Sequence, residues 1–329
     1  MYQAIKRIPG VKPFLRAYHQ YKTYNVHGEF PNNMSLHNYG VTVPEDFWIL
    51  KFIENKQLLV NKPYAKLSIF SVFGLKSMIR LDRSDIKIFF ARENVHRENW
   101  KAYDDLCLKM PCIDLNIGFD LINEVRYIRF PLWIMWLFKP EVTYQELKEF
   151  TERVNNPNNS SFDGKKFCSF VSSHDDIGRL ELVREISSVG VVDCDGKLFH
   201  NNDDLKQKFG DNKKEYLKNY RFNLCPENSN YPGYVTEKIF EAISSGCVPI
   251  YCGSNNNPEP EILNQEAICF VELGKKNPIA IETLSKLNCE KNQYLEFAQQ
   301  PRLTQEAPDI IFDYILSLEK RLSAIINNV

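Results

Sequence analysis

The amino-acid sequence predicts an α/β protein of two similar domains facing a cleft. Short apolar runs of strand length alternate with segments of helical spacing along most of the chain. A run of turn formers, Asn155-Asn-Pro-Asn-Asn-Ser-Ser161, splits that alternation into two sets. The 329 residues are also too many for one ordinary core and suit two domains of moderate size.

In the first set, residues 86–91 (IKIFFA) and 113–119 (IDLNIGF) read as strands, and residues 99–108 between them have helical character. Residues 130–138 (FPLWIMWLF) are the most apolar stretch, far below the roughly 20 residues of a membrane span, and read as a buried core segment. After the turn formers, residues 167–172 read as a strand and 179–189 as a helix. Residues 190–194 then form a strand ending in an Asp195-Gly196 turn. Residues 222–225, 234–245 and 247–251 give a strand–helix–strand unit. Pro308 opens a final helix whose stripe of Ile311, Ile315, Leu318, Leu322 and Ile325 reads as a docking face packed back across both domains. The expected divisions are 1–155, 162–305 and 306–329.

A content of 43% hydrophobic and 25% charged residues is that of a soluble globular protein. The net charge of −1 gives no overall attraction to nucleic acid or to an anionic membrane. Residues 1–24 do not read as a secretory signal, because Lys6, Arg7, Pro9, Lys12, Pro13 and Arg16 interrupt them. Nine cysteines form no metal-type cluster; Cys247 and Cys252 flank an apolar strand instead of sharing a zinc-like spacing. Free thiols in a reducing cytoplasm are the expectation.

The chemistry concentrates in residues 221–254, RFNLCPENSNYPGYVTEKIFEAISSGCVPIYCGS. A strand runs into the polar loop Pro226-Glu-Asn-Ser229, then into a helix starting near Tyr234-Val-Thr-Glu-Lys238. Thr236 reads as its cap, Ile239, Phe240 and Ile243 as its apolar face, and Gly246 as its terminator. A helix N-terminus carries open N–H groups and partial positive charge, which suits a diphosphate. Lys238 would add a full charge, and Glu237 would accept hydrogen bonds from ribose hydroxyls. The plainer reading is that an acid in a first turn answers the helix dipole and that a lysine there is solvated. By itself Glu93, in Arg92-Glu-Asn-Val-His-Arg-Glu98, reads as a surface acid, and His96 beside it as a solvated loop histidine or a second candidate base.

The run Phe222…Glu227-Asn-Ser…Tyr234-Val-Thr-Glu-Lys…Gly246-Cys-Val-Pro-Ile-Tyr-Cys-Gly253 resembles the donor-binding signature of glycosyltransferase family ten, the α-1,3/4-fucosyltransferases. Lys87-Ile-Phe-Phe-Ala-Arg-Glu-Asn94 resembles that family's strand ending in Gly-Glu-Asn, with Arg92 where the usual glycine stands. Asn116-Ile-Gly-Phe-Asp120 and Arg126-Tyr-Ile-Arg-Phe-Pro-Leu-Trp133 resemble the stretch that follows. Phe170-Val-Ser-Ser-His-Asp-Asp-Ile-Gly-Arg179 is similar to a strand and loop leading to an arginine, with Ser173-His174-Asp175 replacing an Asn-Pro pattern. The resemblance covers roughly residues 60–275.

That resemblance implies two Rossmann-like domains of the GT-B type and transfer of L-fucose from GDP-fucose, by inverting single displacement, to O3 of GlcNAc or Glc. Glu93 would be the general base. Tyr234, Glu237 and Lys238 would contact guanosine and diphosphate, Asn228 the nucleoside, and Arg179 the diphosphate, with Arg184 as the fallback. The implied acceptor is an oligosaccharide or a glycan of lipopolysaccharide type, handled in a bacterial cytoplasm with at most peripheral membrane association. No protein-held metal is implied, although Mn²⁺ or Mg²⁺ stimulation fits the family. Asp193-Cys-Asp195 has the form of a metal-binding Asp-x-Asp but reads more simply as a strand end and turn. Another GDP-sugar as donor, or a non-catalytic nucleotide- or glycan-binding protein, are the competing readings.

Overall fold

The computed structural model describes residues 26–30, 33–37, 47–104, 109–173 and 178–329. Their contacts gather into two compact units. The first comprises Met1–Phe130, Lys139–Glu141 and Tyr314–Val329, and the second Pro131–Phe138 and Val142–Asp313.

The first unit holds a six-stranded sheet in the order β1-β2-β3-β4-β5-β6. Its strands are β1 (Val26–Phe30), β2 (Met34–His37), β3 (Leu67–Phe70), β4 (Ile86–Phe90), β5 (Leu115–Gly118) and β6 (Tyr127–Arg129). The β1–β2 pair is antiparallel and the pairs from β2 to β6 are parallel. Each residue of β3, β4 and β5 is buried, as expected of parallel strands covered on both faces. Helix α1 (Trp48–Asn55) buries Trp48, Ile49, Leu50, Phe52 and Ile53, and the short α2 (Lys76–Leu81) buries Ile79. The helix expected over 99–108 is reduced to one 3₁₀ turn, Lys101–Tyr103, and residues 105–108 lie outside the described residues. Ring packing sets that turn: Trp100 meets Phe73 edge-on at 5.3 Å and Tyr103 stacks on Phe89 at 5.8 Å.

The second unit opens with α3 (Leu132–Leu137) and α4 (Tyr144–Val154), the latter started by a capping box between Thr143 and Glu146. A parallel sheet follows in the order β11-β10-β9-β7-β8. Its strands are β7 (Lys166–Phe170), β8 (Val192–Cys194), β9 (Tyr220–Pro226), β10 (Val248–Cys252) and β11 (Cys269–Phe270). Between them run α5 (Arg179–Ile186), α6 (Asp204–Gln207), α7 (Lys213–Leu217) and α8 (Glu237–Ser244). Beyond β11 come α9 (Pro278–Cys289), α10 (Lys291–Ala298) and α11 (Ala307–Asn327). A core cluster joins Phe167, Cys168, Leu182, Ile186, Phe222 and Ile250.

The chain changes unit at Phe130/Pro131, not at the turn formers. The apolar 130–138 stretch explains this: Trp133, fully enclosed, stacks on Phe240 of α8 at 4.1 Å. The turn formers are themselves tied down. Asn155 Oδ1 accepts from the Arg302 and Leu303 amides, and a Cβ on Gly246 would stand 2.2 Å from the Asn159 carbonyl. In α11, Ile311, Ile315, Leu318 and Leu322 are buried as the stripe predicts, but the series ends on Ile326 in place of Ile325. A four-residue step from Leu322 keeps the same face. Contacts assign residues of α11 up to Asp313 to the second unit and those from Tyr314 to the first. The eight described cysteines are free thiols, and no helix among the described residues is long and apolar enough to cross a membrane.

Candidate active site

In the second unit, β9 delivers Glu227 at its carboxyl end, where an open α/β sheet places its ligands. Glu227 is 1% exposed, so its burial is tolerable only if partners replace the lost water. They do. Oε1 accepts from the Thr236 amide at 2.8 Å, and Oε2 accepts from the Thr236 hydroxyl at 2.7 Å and Lys238 Nζ at 3.0 Å. Gly253, at the exit of β10, makes room for this carboxylate: a Cβ there would lie 2.6 Å from Glu227 Cγ.

Thr236 occupies the N-cap position of α8, but its side chain caps no helix amide. The expected cap is corrected in this way because the hydroxyl is committed to Glu227 and accepts from Lys238 Nζ at 2.6 Å. The first-turn amides of α8 are therefore left uncapped by that side chain. The helix also starts three residues later than the spacing suggested, at Glu237. Gly233 at φ 77° and a turn from the Tyr234 amide to the Tyr231 carbonyl hold residues 231–234 outside it.

Lys238 also lies 3.6 Å from Glu237. Burial works against its ammonium, but Glu227 and Glu237 outweigh burial and hold its pKa above the ordinary lysine value. Burial likewise raises the Glu237 carboxyl, and the Lys238 charge, with the Glu237 amide, the Lys213 charge and the Thr236 hydroxyl, carries it below the usual carboxylate range. Both groups thus keep their charge at neutral pH.

Arg179 is the first residue of α5 and 3% exposed. Its Nη1 donates to Ser172 Oγ at 2.8 Å, while Nη2 donates to the Pro226 carbonyl at 3.2 Å and to Asn228 Oδ1 at 2.7 Å. The guanidinium therefore ties the ends of β7 and β9 together and orients Asn228 from beneath the loop. Residues 174–177, just before it, lie outside the described residues. Arg184, the fallback, stacks over Phe199 at 5.7 Å. Tyr234 is 2% exposed. Asp193 accepts from Lys166 and Tyr220, and Asp195 from the Leu205 amide and Tyr216, so protein donors engage both carboxylates of the Asp-x-Asp.

In the first unit, Glu93 follows β4 by three residues and is half-buried at the same kind of carboxyl edge. Its neighbours hold the loop. Asn94 is 2% exposed and its Oδ1 accepts from the His96 amide at 2.9 Å. His96 is not solvated as expected: its ring nitrogens lie 3.0 Å from Asp104 and 2.6 Å from Asp120. Each ring nitrogen thus faces a carboxylate, which holds the imidazole in place.

Two family models match this chain: "Glycosyltransferase family 10 (fucosyltransferase) C-term" over residues 163–305, and "Alpha-(1,3)-fucosyltransferase FucT N-terminal domain" over residues 36–136. Together they span about three quarters of the sequence and both units. The chain belongs to glycosyltransferase family 10. Among the family's curated members, the α-(1,3)-fucosyltransferase FucT of Helicobacter pylori is 37% identical over 112 residues, 34% of this chain and 23% of that protein. α-(1,3)-Fucosyltransferase B of Drosophila melanogaster is 27% identical over 184 residues, 53% of this chain and 41% of that protein. The chain thus matches less than half the length of either relative. A crystal structure of an α1,3-fucosyltransferase superposes with a TM-score of 0.58 at 23% identity, covering 95% of this chain and 97% of that one. Another, solved with GDP-fucose, gives 0.50 at 24% identity, covering 78% and 77%. The fold is that of these family-10 enzymes.

The sequence signature named Arg179, Asn228, Glu237 and Lys238, and the structure gathers them at the carboxyl ends of β7 and β9. It passed over Glu227, which holds the family-10 loop to its helix. The available signal was Thr236 and Lys238 two residues apart, both able to donate to an acid on the preceding loop.

Proposed function

We propose that this chain is an inverting fucosyltransferase that moves L-fucose from GDP-fucose to a glycan hydroxyl, O3 of GlcNAc or Glc in an oligosaccharide or lipopolysaccharide-type acceptor. The observation that carries the donor half is the Glu227–Thr236–Lys238 assembly, which holds a cation in the first turn of α8. A helix N-terminus with an adjacent ammonium suits a diphosphate, and Glu237, charged and partly exposed, suits ribose hydroxyls. The solved relative with bound GDP-fucose supports the same donor.

In the proposed reaction Glu93 accepts the proton of the acceptor hydroxyl as that oxygen attacks the anomeric carbon. The bond from this carbon to the phosphate oxygen breaks, and GDP departs. Lys238 and the α8 N-terminus take up the charge that develops on the leaving group, while Arg179 keeps Asn228 and the loop in place. One displacement at carbon inverts its configuration. A metal is not required by this scheme.

Calorimetric titration of GDP and GDP-fucose tests the donor half. Lys238→Ala is expected to weaken GDP binding by about 10- to 100-fold, the worth of a charge-assisted contact. Equal affinity in variant and wild type removes Lys238 from the site. A panel of GDP-sugars tests the sugar: turnover of another donor with none of GDP-fucose replaces the fucosyl reading with a different glycosyl one.

A further inference from the structure

The chain leaves β10 through Gly253 into Ser254-Asn-Asn256, three consecutive residues at φ 47°, 51° and 52°. Asparagine visits this left-handed region more readily than most residues, and here its neighbours hold it there. Ser254 Oγ accepts from the Gly233 amide at 3.0 Å, and the Asn255 amide donates to Asn230 Oδ1 at 2.6 Å. On the other side, Asn256 Nδ2 donates to the Val271 carbonyl at 3.3 Å. The turn is thereby fixed between the loop after β9 and the exit of β11. Between these segments lies a cavity of about 380 Å³ lined by Asn230, Cys252, Asn255, Asn256, Glu272 and Leu273.

The lining separates the possible occupants. Among the described residues it is lined by side-chain amides and a carboxylate, with no aromatic ring on which a purine would stack and no cation to meet a phosphate. Lys275 Nζ sits 2.5 Å from Glu272, held by that carboxylate. Asn230 spends its oxygen on the turn and keeps its NH₂, while the Asn255 side-chain carboxamide makes no hydrogen bond among the described residues. Amide and carboxylate groups of both hydrogen-bonding senses suit a ring of hydroxyls. The place fits as well: Asn230 follows by two residues Asn228, the acceptor of the Arg179 guanidinium.

We propose that this cavity receives the sugar of the GDP-sugar donor, and that Asn230, Asn255 and Glu272 select it by hydrogen bonds to its hydroxyls. The inference rests on the donor reading above and adds where sugar identity is decided. Both variants that test it alter exposed or partly exposed side chains: Asn255→Ala and Glu272→Gln. Each is expected to lower kcat/KM for GDP-fucose about tenfold and to shift the preference between GDP-fucose and GDP-mannose, with GDP affinity held within about twofold. Intact GDP binding with unchanged kcat/KM and preference in both variants overturns the inference and leaves the donor reading standing. A tenfold loss of GDP affinity itself also overturns it, because the cavity then holds the nucleotide. Wild-type protein that binds no GDP removes the donor reading, and this inference with it.

Discussion

Glu227 accepts from the Thr236 amide and hydroxyl and from Lys238 while shut away from solvent. Removing one member of a buried pair strands the other, so Glu227→Gln is expected to lower the unfolding free energy by about 2–3 kcal/mol, discounted for the partial exposure of Lys238. Urea titration measures this. An unchanged midpoint would mean that the loop and α8 are held by other contacts. Glu227 stood in the recognised motif string yet carried no mark of its role, because acids are ordinarily on the surface and only its partners make burial tolerable. His96 was hidden for the same reason. Its partner Asp120 is 24 residues away, so nothing local to the Arg92–Glu98 charge run distinguishes a clamped ring from a solvated one.

Among the elements, the parallel strands were the most legible. β4 and β10 are buried at every position, so neither alternates; β10 is an apolar run and β4 is one interrupted only by Lys87, whose ammonium donates to the Ile79 and Asp82 carbonyls. Helix starts were less so, because α8 is delayed by a local turn over Tyr231 to Tyr234 and by Thr236 giving its hydroxyl to Glu227 instead of to the helix. His37, which closes β2, gives the first unit a pH dependence that no sequence pattern shows. Burial holds its pKa below the ordinary histidine value, with Asp82 acting in the opposite sense. Its ring faces Ser68 Oγ at 3.2 Å, Asp82 at 3.5 Å and the Phe70 ring at 4.3 Å. A histidine with a depressed folded pKa contributes stability in full above its unfolded value of about 6.5, and loses it as pH falls toward the folded one. Urea midpoints between about pH 8 and pH 5 are therefore expected to fall in the wild type and to fall less in His37→Phe. Equal slopes in the two proteins would assign the pH dependence to other groups.

At the scale of the whole molecule, both sheets send their candidate site residues from the carboxyl ends of parallel strands. Glu93 follows β4, Arg179 follows β7, the 227–238 loop and helix start follow β9, and the 253–256 turn follows β10. This arrangement was legible from alternating strand and helix patterns, since open α/β sheets bind ligands there. The division between units was not. It depends on Trp133 finding Phe240 and on Asn155 finding Arg302 and Leu303, pairings more than 100 residues apart along the chain. Donor binding and acceptor activation are separable functions in this scheme, and one variant separates them. GDP-fucose affinity by calorimetry and fucosyl transfer to a glycan array should be measured together for wild type and Glu93→Gln. The expected result is an affinity within about threefold of wild type and transfer slowed by about 10²–10⁴-fold, the usual contribution of a positioned base. Undiminished transfer by Glu93→Gln, or wild-type protein that neither binds nor turns over GDP-fucose, would contradict it.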